Sequence, residues 1–427
     1  MTSTRIVQLA NSIAANTALV DNYFRANDLP TPSFSLGGPV DFGLAKKAPH
    51  VESARIAAIE ASIELQELLT GPIQLLRPVL NATSLQAIYK FEIAQKVPIH
   101  GEISFASLAE LSNLDELDLR RILRFAIVHH RVFCEPRKGY VAHSAASRRL
   151  AENAGARDGL GLMFDECWQS MARTVEAMER FKDREPNQTP DDGSNSFQGH
   201  SLAHQTDDSM YDYLRKNPAK AKRFASAMRS FTDSVNPEPL QLISGFPWAS
   251  IGRGTVVDVG GSEGHVSISL ARAYTDLKFI VQDAPETVAG AKEKLPVDVA
   301  DRVEFMAHDF FTDQPITADV YILRWVFHNW PDKFCIKILQ KLIPALKPGA
   351  RIVVNDSLVP DPDTLSLLEE RQTRAMDMLM LTLYNARERE QDDWGQLFKQ
   401  ADQRFTLIRA LRSKNSGAGI IEAVWEG

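Results

Sequence analysis

The sequence predicts an α/β protein, with a doubly wound sheet in its C-terminal part and a helical N-terminal part. Three observations predict it. From Thr255 onward, short apolar runs alternate with segments of helical period, the pattern of strands joined by crossover helices. The first run ends in a glycine turn, Gly260-Gly261-Ser262-Glu263-Gly264, at the end of a strand where open sheets bind ligands. Upstream of Phe246 the apolar residues recur at helical spacing instead, broken by Pro- and Gly-rich stretches.

Residues 1–78 read as a helical arm. Ile6, Leu9, Ile13, Leu19 and Tyr23 keep helical spacing, and Pro30–Pro39 is a linker by composition. Residues 51–70 form an amphipathic helix through Ile56, Ile59, Ile63, Leu65, Leu68 and Leu69, with Pro72 and Pro78 punctuating its exit. Residues 79–155 read as a winged-helix layout. A short helix covers Leu85–Ala94, a second opens at Ser107 with Glu110 completing a capping box, and a third runs from Asp115 to His130. A strand–turn–strand over Val132–Val141 would be the wing. Such a module dimerises or binds DNA. Its third helix carries Arg120, Arg121 and Arg124, but also Asp115, Glu116 and Asp118. Residues 156–245 add linking helices, at 158–182, Ser209–Leu214 and Lys220–Val235, around a polar loop at 183–209.

Residues 246–427 hold the sheet. Predicted strands are Thr255–Val259, Lys278–Asp283, Val303–Ala307, Ala318–Leu323, Arg351–Asp356, Phe405–Leu411 and Gly419–Val424. Predicted helices are Val266–Tyr274, Thr287–Lys294, Lys333–Leu346 and Trp394–Ala401, with a turn at Lys347-Pro348-Gly349.

Composition narrows the function classes. A hydrophobic content of 44% and a charged content of 24% suit a soluble globular chain. The net charge of -7 argues against nucleic-acid binding, which needs clustered Lys and Arg. Cys134, Cys167 and Cys335 are scattered, without the spacing of a zinc site or a disulfide framework, so no metal is expected. With no secretory signal and no apolar run long enough to span a bilayer, the expected location is the cytoplasm.

The chemistry concentrates in two segments. In the first, Gly260, Gly261 and Gly264 permit positive φ or close backbone approach, and the following helix N-terminus favours negative groups. Asp283 ends the next strand about 20 residues on, where an acid meets ribose hydroxyls. Asp309 ends the strand after it, placed for an adenine amino group, with Phe310 against the ring. Both acids also serve as ordinary loop caps. Asp258 lies inside the first strand, where a buried acid is costly without a partner. It disfavours pyrophosphate and favours a cationic adenosyl ligand such as S-adenosylmethionine. In the second segment, Arg324-Trp325-Val326-Phe327-His328-Asn329-Trp330, His328 sits among bulky neighbours and reads as a general base or as a backbone-bonded helix-start histidine. Asp356 ends the next strand and is placed to hold the other imidazole nitrogen. Glu388 lies in Arg387-Glu388-Arg389, which by itself reads as a solvated charge run.

Asp258–Gly264, Asp283, His308–Phe311, Arg324–Trp330, Leu346–Ala350 and Ile420–Trp425 together resemble class I S-adenosylmethionine-dependent O-methyltransferases of the plant caffeate type and their fungal secondary-metabolite relatives. The resemblance spans residues 55–427. It implies a Rossmann-like methyltransferase sheet, an all-helical winged-helix dimerisation domain, a homodimer, and a small aromatic acceptor. It implies His328 as base flanked by Asp356 and Glu388. Asp283, Asp309 and Phe310 would hold the cofactor with Asp258, Gly260, Gly261, Gly264 and Arg324, and Met376 and Met380 would clamp the acceptor ring beside Phe164, Trp168, Trp325 and Asn329. Four departures stand out. Ser262 replaces a glycine and fits readily at negative φ. Asn329 replaces an Asp, Asp356 a longer Glu, and Arg324 a Lys. The expected reaction is methyl transfer to a phenolic hydroxyl, which at neutral pH needs a base, since a phenol has a pKa near 10. The alternatives are a pericyclase or dehydratase that holds the cofactor on the same scaffold, and a winged-helix regulator with a vestigial ligand domain.

Overall fold

The computed structural model describes residues 3–39, 42–76, 82–181, 198–235, 240–361, 364–412 and 418–427. Two compact units emerge: residues 1–165 with 219–231, and residues 166–218 with 232–427.

In the first unit, helices Arg5–Ala26 and Pro49–Thr70 pack along each other. Pro72 opens a further helical turn, Pro72–Leu75, as suits a residue lacking the N–H that a first turn leaves unused; Pro78 lies outside the described residues. The helices Thr83–Lys90, Phe105–Ser112 and Glu116–His130 bury Ile88, Phe105, Leu108, Leu119 and Leu123 in one core. The second starts earlier than expected. Its cap is Ser104, whose Oγ accepts from the Ser107 N–H at 3.1 Å, because burying Phe105 extends the helix by a half turn. The wing also differs. Tyr140–Val141 (β2) pairs with Ile103–Ser104 (β1), while Cys134 makes only a single bridge to Ala142. Phe133 has φ +67 and donates its N–H to Ser144 Oγ, which breaks a strand through 132–134. Arg120, Arg121 and Arg124 each pair with a carboxylate, of Glu116, Asp118 and Glu135.

The helical segment expected from 158 is helical as far as Arg180, with a π turn at Met163–Cys167 between Ala154–Leu162 and Trp168–Arg180; residue 182 lies outside the described residues. Most of the polar loop falls outside the described residues. Its end is the helix Gly199–His204 rather than loop. A Cβ on Gly199 would lie 2.3 Å from the Ser170 carbonyl oxygen, so glycine here serves close helix packing rather than a turn.

The second unit is built on a seven-stranded sheet: β3 (Thr255–Val259), β4 (Lys278–Asp283), β5 (Val303–Ala307), β6 (Ala318–Arg324), β7 (Leu346–Asn355), β8 (Phe405–Arg412) and β9 (Gly419–Trp425). The order is β5-β4-β3-β6-β7-β9-β8, with β5 through β7 parallel and β9 antiparallel to both neighbours. The strand order reverses between the parallel neighbours β3 and β6, with β4 and β5 added on one side and β6 and β7 on the other, which opens a crevice at their carboxyl ends. Alternate side chains face two cores. Val257, Tyr321, Leu323, Ile352 and Val354 pack with helices Asp332–Leu342 and Gln391–Ala401, while Val256, Val281, Ile322 and Val353 pack with helix His265–Ala273.

Three predicted elements shift. The helix expected at Thr287–Lys294 divides around Gly290 into Pro285–Ala289 and a 3-10 turn. The helix expected to reach Leu346 stops at Leu342, ahead of Pro344. Lys347–Gly349 lies within β7, at a register shift against β6. Helix Leu367–Tyr384 was not among the predicted elements, although its capping box, Ser366 with Glu369, is visible in the sequence. No helix among the described residues is long and apolar enough to cross a membrane.

Candidate active site

The glycine turn leaves β3 at the crevice. Gly260 and Gly264 have φ +72 and +78, and a Cβ on Gly261 would lie 2.6 Å from the Asp258 carboxyl carbon. The turn is fastened from within: the Gly260 and Gly261 N–H groups both donate to the Gln282 carbonyl, at 2.8 and 3.0 Å. Those two donors are therefore spent on the fold and do not face a ligand. Ser262 has φ +53, so the negative φ expected for a serine is not adopted. Its N–H donates to Asp283 Oδ2 at 2.8 Å, which holds it in the left-handed region.

Asp283 Oδ1 takes the Ala284 N–H, so its carboxylate is oriented by two backbone donors and keeps lone pairs for hydroxyls. Asp309 is exposed, with Oδ1 accepting from the Phe311 N–H at 2.9 Å, and Phe310 is half-buried beside it. Asp258 is buried and accepts from Ser267 Oγ at 2.7 Å; burial pushes its pKa up to about 6. Arg324 is engaged by Asn355 Oδ1 and His265 Nε2, at 3.0 and 2.9 Å. A glycine cradle lined by carboxylates fits an adenosyl group carrying hydroxyls, an amine and a positive charge.

The second segment begins where β6 ends. Trp325 has φ +53, a conformation that bulky residues seldom adopt. Two hydrogen bonds hold it: its N–H donates to the Asn355 carbonyl at 3.2 Å, and Asn329 Nδ2 donates to its carbonyl at 3.1 Å. The second bond gives a reason for Asn329, since an aspartate has no side-chain N–H to donate.

His328 lies on the 3-10 turn Phe327–Asn329 and is 8% exposed. Its Nδ1 is 3.1 Å from Glu388 Oε1, and its backbone N–H donates to Asp356 Oδ2 at 3.2 Å. The two acids thus divide the task differently from the sequence reading. Asp356, just after β7, braces the turn's backbone and acts on the imidazole through its charge, whereas the ring's hydrogen bond goes to Glu388. Glu388 arrives from the segment after helix Leu367–Tyr384 and holds the ring. Nor is Glu388 solvated: its side chain is 1% exposed, and its own N–H donates to Asp377 Oδ1.

Burial alone would lower the His328 pKa, but the Glu388 hydrogen bond and the charges of Asp356 and Glu388 outweigh it, and the net shift is upward. Burial raises Asp356 to about 6. Asp356 Oδ1 and Glu388 Oε2 are buried without a hydrogen-bond partner among the described residues. With Nδ1 committed to Glu388, Nε2 carries the lone pair that can accept a proton.

Of the acceptor-binding candidates, Trp325 has its ring 5.0 Å from the His328 ring, and Asn329 is on the same turn. Met376 and Met380 are one turn apart on helix Leu367–Tyr384, which packs on the His328 turn; Met380 is buried and Met376 exposed. Trp168 is exposed on helix Trp168–Arg180, which packs on that same helix. Phe164 is buried and belongs to the first unit. Sequence reading missed Tyr211, from helix Met210–Lys216. Its ring stacks 5.9 Å from Trp330, and its hydroxyl hydrogen-bonds Tyr384 and Asn329. No local pattern marks it. Among the described residues, no three His, Cys, Asp or Glu side chains group as metal ligands.

Residues 194–404 match the O-methyltransferase domain family. The chain is 53% identical over 423 residues to the grayanic acid biosynthesis cluster O-methyltransferase of Cladonia grayi, covering 99% of this chain and 88% of that one. It is 35% identical to the chlorophenol O-methyltransferase of Trichoderma longibrachiatum, covering 99% and 90%. Among solved structures, OxaC in complex with sinefungin and meleagrin superposes with a TM-score of 0.74 at 20% identity, over 98% of this chain and 99% of that one. The protein therefore belongs to the O-methyltransferase family, enzymes whose methyl donor is S-adenosylmethionine.

Proposed function

We propose that this enzyme methylates a phenolic hydroxyl of a small aromatic secondary metabolite, of polyketide type, with His328 as general base. The observation that carries the reading is the buried Glu388–His328 pair, which fixes the imidazole with Nε2 as its proton-accepting atom. When bound, S-adenosylmethionine supplies an electrophilic methyl group. The chain's part is to align the acceptor oxygen with it, to take the hydroxyl proton at Nε2, and to balance the resulting imidazolium with Glu388 and Asp356. Trp325, Asn329, Met376, Met380 and Trp168 would line the acceptor's side. Asp283 would hold the ribose, Asp309 and Phe310 the adenine, and Asp258 and Arg324 the charged amino-acid end beside Gly260, Gly261 and Gly264. The chlorophenol-methylating relative supports a phenolic acceptor.

The test is His328→Ala, assayed as S-adenosylhomocysteine release with a panel of phenols. Turnover should fall by at least about 100-fold, with cofactor affinity within a few-fold of wild type. Unchanged turnover would remove the base assignment. Conversion of an acceptor without release of S-adenosylhomocysteine would favour the pericyclic or dehydrating alternative.

The protein is further proposed to act as a cytoplasmic homodimer through its N-terminal arm. Leu69, Ile73 and Leu76 are exposed at 69%, 72% and 83%, an apolar surface that a second copy would cover. A monomeric mass in light scattering at micromolar concentration would reject it.

A further inference from the structure

Arg389 is 1% exposed, and its guanidinium is spent on the segment that carries His328. Nη1 donates to the Phe327 carbonyl at 3.1 Å, and Nη2 to the Trp330 carbonyl at 2.9 Å. Those two carbonyls flank the turn Phe327–Asn329 on either side of His328. Nε and Nη2 also donate to Asp332 Oδ1, at 2.9 and 2.7 Å, at the first residue of the next helix. Nη2 lies 3.2 Å from Cys335 Sγ, and the guanidinium stands 5.4 Å from the Trp394 ring. Two bonds from one planar group thus hold the backbone on both sides of His328 while two more tie that group to Asp332, which a lysine's single ammonium cannot reproduce. The backbone of Arg389 is itself held: its carbonyl accepts from the Val359 N–H at 2.9 Å.

The neighbouring residue completes the arrangement. Glu388 grips the His328 ring, and Arg389 grips the backbone on which that ring is mounted. Because the two are consecutive, the ring-to-carboxylate distance is set by one short extended piece of chain. Burying a guanidinium is expensive, and a stability role alone does not need it; a well-packed apolar side chain would serve as well or better.

We propose that Arg389 is a positioning residue for catalysis, which sets the placement of the His328 imidazole by clamping the Phe327 and Trp330 carbonyls. The inference rests on the reading of His328 as base. Its size follows from geometry: a misplacement of about 1 Å at a reacting group costs on the order of 100-fold. The charge acts in addition. The groups facing His328 are Asp356 from the end of β7, and Glu388 and Arg389 from the extended segment; Asp332 faces Arg389, and Arg324 and Tyr211 face Asp356. Arg389 opposes the upward pull of the carboxylates on the imidazole.

The experiment compares Arg389→Lys and Arg389→Met, each alone and combined with His328→Ala. Arg389→Lys should lower kcat about 10- to 100-fold, with S-adenosylhomocysteine affinity within threefold of wild type, and should lower the residual rate of His328→Ala no further. Arg389→Met should show the same loss and, with the positive charge gone, an acidic limb of the pH–rate profile moved to higher pH. Wild-type kcat in Arg389→Lys overturns the proposal, as does a loss that persists undiminished in the His328→Ala background. Full turnover in His328→Ala alone instead removes the base reading, and this proposal with it. Should neither Arg389 variant fold, Asp332→Asn carries the test, since it leaves the carbonyl clamp in place. Its kcat should stay within threefold while its melting temperature falls; a parallel loss of both would show a merely structural role.

Discussion

The glycine turn and the His328 turn lie at the ends of neighbouring parallel strands, β3 and β6, yet they are built on opposite principles. The glycine turn is a backbone device. Its shape comes from positive φ at Gly260, Ser262 and Gly264, and its acids Asp283 and Asp309 stay accessible, oriented by adjacent N–H groups. The His328 turn is a side-chain device. It is fixed by three buried groups from two other places in the chain: Asp356 after β7, and Glu388 and Arg389 after helix Leu367–Tyr384. The difference suits the two tasks proposed for them, cofactor binding at the first and proton acceptance at the second. A cofactor must come and go, so its site keeps lone pairs near water. A base must hold a perturbed pKa and a fixed ring orientation, which needs low dielectric and long-range partners.

Variants can sharpen that contrast. The largest effect belongs to His328→Ala, whose turnover should collapse while cofactor affinity holds. Glu388→Gln comes next. It should cut kcat about 10- to 100-fold, and it removes the carboxylate that raises the imidazole. In the wild type, His328 must be neutral to act, so kcat should climb with pH along a limb above the usual value near 6.5. In Glu388→Gln that limb should move to lower pH. A limb that stays put would mean that the titrating group is not His328.

Asp258→Asn tests the cofactor side. Asp258 is pushed up to about 6 by burial, above its unfolded value, so its contribution to stability is present below pH 4 and is lost as pH rises through 6. The asparagine keeps an acceptor for Ser267 and has no proton to lose. Ligand-free Asp258→Asn should therefore melt a few degrees higher than wild type at pH 7.5, with the gain vanishing near pH 4, while S-adenosylmethionine affinity drops about tenfold. A variant less stable at pH 7.5 would contradict the assigned burial cost. Ser262→Gly should have the smallest effect. Relief of the left-handed serine should raise stability by about 0.5–1 kcal/mol, read by chemical denaturation, with kcat unchanged.

Much of this was legible in the sequence for a physical reason. The seven strands of the large sheet lie where the apolar runs predict them, although β7 starts at Leu346 rather than Arg351, and the central parallel ones are the most legible because strands covered on both faces are uninterrupted apolar runs. Among the elements that shifted, those at Phe133 and Gly199 are places where a tertiary contact overrides a local signal. Glu388 shows the limit most plainly. In a window of alternating charges it looks like solvated surface, and only the arrival of helix Leu367–Tyr384 buries it against His328.

The sequence by itself determined the sheet and the crevice at its strand ends, and it marked the candidate residues there, because strand periodicity, glycine turns and strand-end acids are properties of short segments. Only the tertiary structure decided how those residues divide their work. Asp356 braces backbone rather than ring, Asn329 pins the strained Trp325, and Arg389 clamps the turn from 59 to 62 residues away in sequence. Hydrogen bonds across such separations depend on where the folded chain brings buried donors and acceptors together, and no local pattern encodes that.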